Sequence, residues 1–282
     1  MEESLQSPRE YSWVNIGRIS LAHASLLGLY WTGWSWFSVL AFLLLFYLRL
    51  FAISGVFHRY YSHRSYEMQR WFQLVVTAIG CSAGQKGPLS WASIHRRHHL
   101  YSDRPGDPHS PMQNGLFYSH LGWLLKKEAI YTTSELMDEY EAQPEIIFLN
   151  RYHYLPTLAL MLGLYGLGAY LESHYAQLGV TPWQLLLWGG LASTLLLLHA
   201  TCVINSLMHF RGSRAFDTND HSNNVWWLWP ITIGENYHNN HHRHPSSANA
   251  ALKRGQVDLI FGLLRCLGAL GFVSAIRDAR NG

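Results

Sequence analysis

Apolar residues along this 282-residue chain fall into four long stretches, at about 16–31, 34–57, 154–172 and 183–207. Polar sequence separates the second from the third and follows the fourth. A membrane-crossing helix needs about 17–25 mostly apolar residues, so the first stretch is marginal and the other three suffice. Thr32-Gly33 marks a tight turn within the first pair, and a loop with Gly179 and Pro182 joins the second pair. The pattern predicts two helical hairpins. Burying them in a soluble protein would take more chain than the remainder supplies. Residues 71–92 (WFQLVVTAIGCSAGQKGPLSWA) look like a fifth span, but Gln85, Lys86 and several glycines interrupt them.

Composition supports lipid contact. Only 14% of residues are charged, against about 25% in ordinary soluble domains, and 12 are Trp. Mean hydropathy is nonetheless −0.03, so a large polar portion must offset the apolar stretches. The 21 Lys and Arg are unevenly placed: ten in 58–151, eight in 211–282, none in 19–48 or 152–210. By the positive-inside rule both termini and the segments 58–153 and 208–282 are expected on the cytoplasmic side. A net charge of +3 without a long basic run argues against a nucleic-acid partner. Cys81, Cys202 and Cys266 are odd in number and far apart, which predicts reduced packing residues. The polar N-terminus (MEESLQSPREYSW) does not read as a cleaved leader.

The 17 histidines change the picture. Most of the notable ones fall in His58-Arg-Tyr-Tyr-Ser-His63, His95-Arg-Arg-His98-His99 and His238-Asn-Asn-His241-His242. The last two have i, i+3, i+4 spacing, which sets three imidazoles on one side of a helix. The first, at i and i+5, would place its rings about 140° apart on an ideal helix, so local unwinding is expected there. Asn205-Ser-Leu-Met-His209 adds another i, i+4 pair at the end of the last apolar stretch. Nine imidazoles and one amide suit two metals, and nitrogen-rich sites suit Zn, Cu, Fe or Ni. Cysteines at structural-zinc spacing are absent from the sequence. If these histidines share a site, 71–92 cannot cross the membrane and must lie in its interface. His23, His109, His120, His153, His174, His199, His221 and His244 lack such spacing and read as structural or supporting residues.

The boxes HRYYSH, HRRHH and HNNHH, with NSLMH ahead of the third, resemble those of membrane acyl desaturases of the stearoyl-CoA desaturase type. The resemblance runs from about Gly55 to Pro245 and includes SDRPGDPHSP (102–111), GLFYSHLGWLLKK (115–127) and GENYHNNHH (234–242). It implies an all-α integral membrane protein, one domain over 1–282, with four spans capped by a cytoplasmic helical domain. It also implies two Fe²⁺ ions held by His58, His63, His95, His98, His99, His209, His238, His241 and His242, with Asn205 acting through a water. Oxygen would be the co-substrate, and the product a cis double bond, at Δ9 of an acyl-CoA. Among Asp103, Asp107, Asp217, Asp220 and Glu235, only Asp107 and Glu235 are expected to orient imidazoles by accepting their second N–H.

Trp91 and Thr201 match positions lining the family's acyl channel, although Trp91 also suits an interfacial anchor. Cys202 stands where animal enzymes have Trp. Lys126 and Lys127 match the basic pair that meets CoA phosphates, yet Ser93-Ile94 replace the Arg-Asp that touches CoA in animal enzymes. An acyl thioester is thus expected, with acyl carrier protein or an intact lipid as alternatives. Arg49, inside the second stretch, reads equally as a functional charge or one that snorkels to the surface. No haem-binding or ferredoxin-like segment is recognisable, so electrons are expected from a separate ferredoxin or cytochrome b5-type carrier with its reductase. Two rival readings remain: another oxidation on the same scaffold (hydroxylation, terminal desaturation, acetylenation or decarboxylation), or a non-enzymatic membrane metal-binding protein.

Overall fold

The computed structural model describes residues 10–127, 137–140 and 142–281; most of the N-terminal segment read above as lacking a leader lies outside them. The described chain is mostly helical with almost no strand. Helix α1 (Trp13–Ala24) passes through a 3₁₀ turn at Ser25–Leu27 into α2 (Gly28–Thr32). Gly33, at φ 63°, makes the turn into α3 (Trp36–Phe51), whose start is fixed by a Ser35/Ser38 capping box. Helix α3 runs on as a π-helix over Ala52–Ser62. There follow α4 (Arg70–Cys81), α5 (Pro88–Tyr101), and the short α6 (Pro111–Asn114) and α7 (Leu116–His120). After α8 (Pro144–Arg151) come α9 (Tyr154–His174) and α10 (Pro182–Gln184), the latter leading through a π-helix at Leu185–Ala192 into α11 (Ser193–Ser206). Helices α12 (Trp229–Thr232), α13 (His238–Arg243) and α14 (Leu259–Ala269) complete the helices. One antiparallel pair of two-residue strands, β1 (Glu67–Met68) and β2 (Val273–Ser274), ties the chain end to the start of α4.

Among the described residues, three continuous helices are long and apolar enough to cross a membrane: Trp36–Ser62, Tyr154–His174 and Pro182–His209. The first apolar stretch is helical from 13 to 32, but the 3₁₀ turn at Ser25–Leu27 divides it, and it does not form a fourth continuous helix of that length. Only 11% of the most apolar window of α9 is buried, and Leu158, Leu162, Leu167 and Tyr170 point outward. Burying each would be worth about 1.5–3 kcal/mol, so this surface calls for lipid. Helix α4 has 12 residues, about 18 Å, against an apolar membrane thickness of about 30 Å. It is too short to cross.

Arg49 resolves in favour of neither surface snorkelling nor an open functional charge. Its guanidinium is fully buried, and all five N–H groups find neutral acceptors. Nε donates to Leu45 O (3.0 Å), Nη1 to Ser82 O (3.3 Å) and Thr194 Oγ1 (2.6 Å), and Nη2 to Gly189 O (3.4 Å) and Ser193 Oγ. The side chain thus clamps α3 to the π-helix and α11 on one side and to the end of α4 on the other. Gly189 lets the π-helix approach α3: a Cβ there would lie 3.2 Å from Ala41 Cβ. Replacing Arg49 with Met should lower stability by at least about 3 kcal/mol, since several charge-assisted bonds are lost together. Thermal unfolding in detergent would show this, and an unchanged midpoint would contradict the clamp.

Candidate metal centre

The i, i+5 histidine pair is explained by the π-helix. Its i to i+5 bonding stacks residues five apart, so His58 and His63, at its last turn and C-cap, bring their ring centroids within 5.0 Å. The chain is not unwound there, as the ideal-helix angle suggested; it is wound more widely. Helices α5 and α13 present the other two boxes. On an α-helix, residues i and i+4 differ by about 40° while neighbours differ by about 100°. Each HxxHH box therefore splits.

The result is two groups of converging imidazole nitrogens, each with its ligand atoms within 4.8 Å of one another. His58, His63, His95, His99 and His241 form one; His98, His209, His238 and His242 form the other. Helix α5 sends its i, i+4 pair to the first group and His98 to the second. Helix α13 does the reverse, sending His238 and His242 to the second and His241 to the first. In the first group Nε2 faces Nε2: His58 to His241 at 3.0 Å, His63 to His95 at 2.9 Å, His241 to His99 at 3.0 Å. In the second, His209 and His238 do so at 2.9 Å. His99 and His242 stack at 4.4 Å where the groups adjoin.

Four rings are aimed by carboxylates. Nδ1 of His58 lies 3.0 Å from Glu235, that of His98 3.1 Å from Asp107, that of His209 2.8 Å from Asp103 and that of His242 2.6 Å from Asp220. This includes the two expected, Asp107 and Glu235, and two not singled out, Asp103 and Asp220. Asp217 takes no such part: it is exposed beside Arg214. Sequence offers no signal for Asp103 and His209, which are 106 positions apart. Asp103 sits at φ 58° in a turn, where its backbone N–H donates to Asp107 (2.9 Å) and its carboxylate accepts from His221 N (2.8 Å). Glu235 is also held by Arg59 (2.9 Å), which reaches on to Asp258 (2.8 Å). Gly234, at φ 141°, lets that chain close, because a Cβ there would lie 2.3 Å from Asp258 Oδ1.

Burial, reinforced by neighbouring imidazoles, pushes His63, His95, His99, His238 and His241 well below the usual histidine range. Burial also brings His242 down to about 4, against the pull of Asp220. His98 moves the other way, because Asp107 outweighs its burial. Burial opposes ionisation of Glu235, yet His58 and Arg59 hold it down to about 2. Neutral rings flanked by ionised carboxylates are what a cation requires. The donor set fits metal on a second count: Nε2 of His242 is buried with no partner among the described residues. Five nitrogens in one group also exceed the four of a structural zinc.

Asn205 lies one turn before His209 on α11, and its carbonyl accepts from Ser119 (3.0 Å). Trp91 faces inward: its ring stacks on His95 at 5.3 Å, and its Nε1 donates to Gln85 (3.3 Å). Gln85 in turn donates to Thr201 Oγ1 (3.0 Å), so Gln85, absent from the expected set, links Trp91 to Thr201. Lys126 lies over the Tyr11 ring at 3.4 Å and Lys127 pairs with Glu10; both meet the segment before α1. Three histidines without box spacing form a separate string: His23 to His199 at 3.0 Å and His199 to His120 at 2.9 Å. Cys81 and Cys202 are buried as expected, whereas Cys266 is exposed. Replacing Asp220 with Asn should weaken metal retention about 10–100-fold, measured by metal analysis after dialysis against chelator. Undiminished retention would contradict its part in aiming His242.

Residues 34–257 match the family model for fatty acid desaturase. The chain is 31% identical over 273 residues to an sn-1 stearoyl-lipid 9-desaturase of Anabaena variabilis, covering 96% of this chain and 95% of that one. It is 33% identical over 256 residues to a probable chloroplastic lipid desaturase of Arabidopsis thaliana, covering 90% of this chain and 66% of that one. It is 35% identical over 225 residues to an Arabidopsis thaliana Δ9 acyl-lipid desaturase, covering 80% and 70%. The chain therefore belongs to the fatty acid desaturase family.

Proposed function

We propose that this protein uses O₂ and two external electrons to place a cis double bond in a saturated acyl chain, at Δ9, while that chain is esterified in a membrane lipid. The observation that carries the reading is the pair of buried imidazole groups, four of their rings aimed by carboxylates, at the end of apolar helices in a fatty acid desaturase chain. The lipid-linked form, rather than the acyl-CoA expected from the resemblance, is favoured by the relatives named above, which are lipid desaturases. The Ser93-Ile94 pair, in place of the CoA-touching Arg-Asp, agrees with it.

Nine histidines hold two Fe²⁺ ions in this reading: five at the first and four at the second, where Asn205 supplies a further contact through water. When bound, the irons supply the activation of O₂ needed to attack an unactivated methylene. The chain's own residues do the rest. Asp103, Asp107, Asp220 and Glu235 fix the tautomer and direction of their imidazoles. Trp91 and Thr201, joined through Gln85, line the acyl channel beside His95 and hold one carbon pair near the metals while excluding water. Lys126 and Lys127, beside Tyr11 and Glu10, lie at the head-group side. Each turnover consumes one O₂, two electrons and two protons and releases two waters with the alkene. The electrons come from a separate ferredoxin or cytochrome b5-type donor.

The proposed topology is one domain over 1–282 with two hairpins, the 13–32 helical stretch serving as the first crossing. Both termini and the metal groups then lie on the cytoplasmic side, with α4 in the interface, as the distribution of Lys and Arg favours. Expression in a desaturase-deficient host with fatty-acid profiling by lipid class tests the reading. Monounsaturated acyl chains should appear in complex lipids, and His98→Ala should abolish them. Hydroxylated chains as the main product, or full activity in that variant, would refute it.

A further inference from the structure

Lys86 is a half-buried residue whose charged end points inward. Its ammonium is out of solvent and has no hydrogen-bond partner among the described residues. An unpaired buried charge is costly, and the residue's φ of 74° adds a left-handed backbone that a non-glycine rarely adopts. Such strain persists only where the surroundings enforce it. The enforcing contacts lie on both sides. Gln85 is tied to Leu197 O (3.4 Å) and Thr201 (3.0 Å) on α11. Gly87 is pressed against Asn150, whose Oδ1 would lie 2.4 Å from a Cβ there and accepts from Ser90 N (3.0 Å).

Among the described residues, the charged groups acting near Lys86 are basic. Helix α5 starts at Pro88, where Asn150 Oδ1 takes the N–H of Ser90, and the positive end of its dipole lies two residues along the chain from Lys86. His153, just ahead of α9, is held below its ordinary value by burial and then by Arg18 and Lys86 together, which places three basic groups in one neighbourhood. Burial alone moves Lys86, down to about 8; no carboxylate among the described residues counters it. Arg18 stands on the exposed face of α1 between Val14 and Leu21, which are 70% and 72% exposed. That face belongs in lipid, so the anion that completes the cluster would come from the membrane side. The adjoining Gln85, Trp91 and Thr201 are the residues assigned above to the acyl channel.

We propose that Lys86, with Arg18 and His153, binds the phosphate of a glycerophospholipid whose acyl chain runs along Gln85, Trp91 and Thr201. The proposal rests on the desaturase reading for the fate of that chain, but not for the binding of the phosphate. Lys86→Gly removes the ammonium and relieves the left-handed strain, so it should fold at least as well as the wild type, as thermal unfolding would confirm; Lys86→Met, which keeps the bulk, serves as a second variant. Purified full-length protein would be offered dipalmitoyl-phosphatidylglycerol, a dipalmitoyl galactolipid without phosphate, and palmitoyl-CoA. Lipid retention is read by native mass spectrometry and turnover by product analysis.

Both variants should lower the phosphatidylglycerol-to-galactolipid ratio, in retention and in turnover, by about tenfold or more, as loss of a charge-assisted bond implies. An equal fall with both lipids, or no change with either, would overturn the proposal. A loss confined to palmitoyl-CoA would overturn the lipid source of the phosphate. Selective phosphatidylglycerol retention by a wild-type protein that desaturates none of the three would sink the desaturase reading and leave the phosphate site standing.

Discussion

Nine imidazoles packed nitrogen to nitrogen cannot all carry positive charge at once, and this constraint organises the polar half of the molecule. Burial supplies the neutrality, driving most of these rings well below the usual histidine range. Burial alone would leave tautomer and direction loose. Carboxylates from Asp103, Asp107, Asp220 and Glu235 fix four of the rings, and they in turn need support in a low-dielectric interior. The His58–Glu235–Arg59–Asp258 chain meets that need through the same segments that supply ligands. Asp258 also caps α14 by accepting from Phe261 N (2.9 Å), so the site and the C-terminal packing are mechanically continuous.

Much of this was legible in the residues, and the gaps have physical causes. Helical spacing brought the boxes to notice, but only the crossing of α5 and α13 decides that His98 leaves its neighbours for the other group. The i, i+5 pair was recognised as incompatible with an ideal helix; the π-helix that reconciles it leaves no distinctive mark in Ala52–Ser62. Asp103 and Asp220 were candidates without a reason to choose them, since their partners are fixed by tertiary folding rather than local sequence. The long apolar helices were visible from length alone. The 3₁₀ turn at Ser25–Leu27, which interrupts the first stretch, was not.

Arg49 and Lys86 show how the same type of buried charge can mean opposite things. Arg49 has a neutral acceptor for each donor and needs no further partner; its five bonds are a structural clamp. Lys86 has none among the described residues and carries backbone strain besides. A fold tolerates that combination where a ligand completes it. The difference lies in what the surrounding segments offer. Gly189 of the π-helix and the hydroxyls of Ser193 and Thr194 on α11 turn oxygens toward Arg49, while Lys86 meets no such acceptor among the described residues.

The central claim is that the two imidazole groups each hold one iron. Metal analysis of purified full-length protein, combined with X-ray absorption at the iron edge, tests it directly. Two irons per chain in a nitrogen- and oxygen-only shell are predicted, because five and four histidines form two separate groups. A single metal per chain, or sulfur in its shell, would contradict the account.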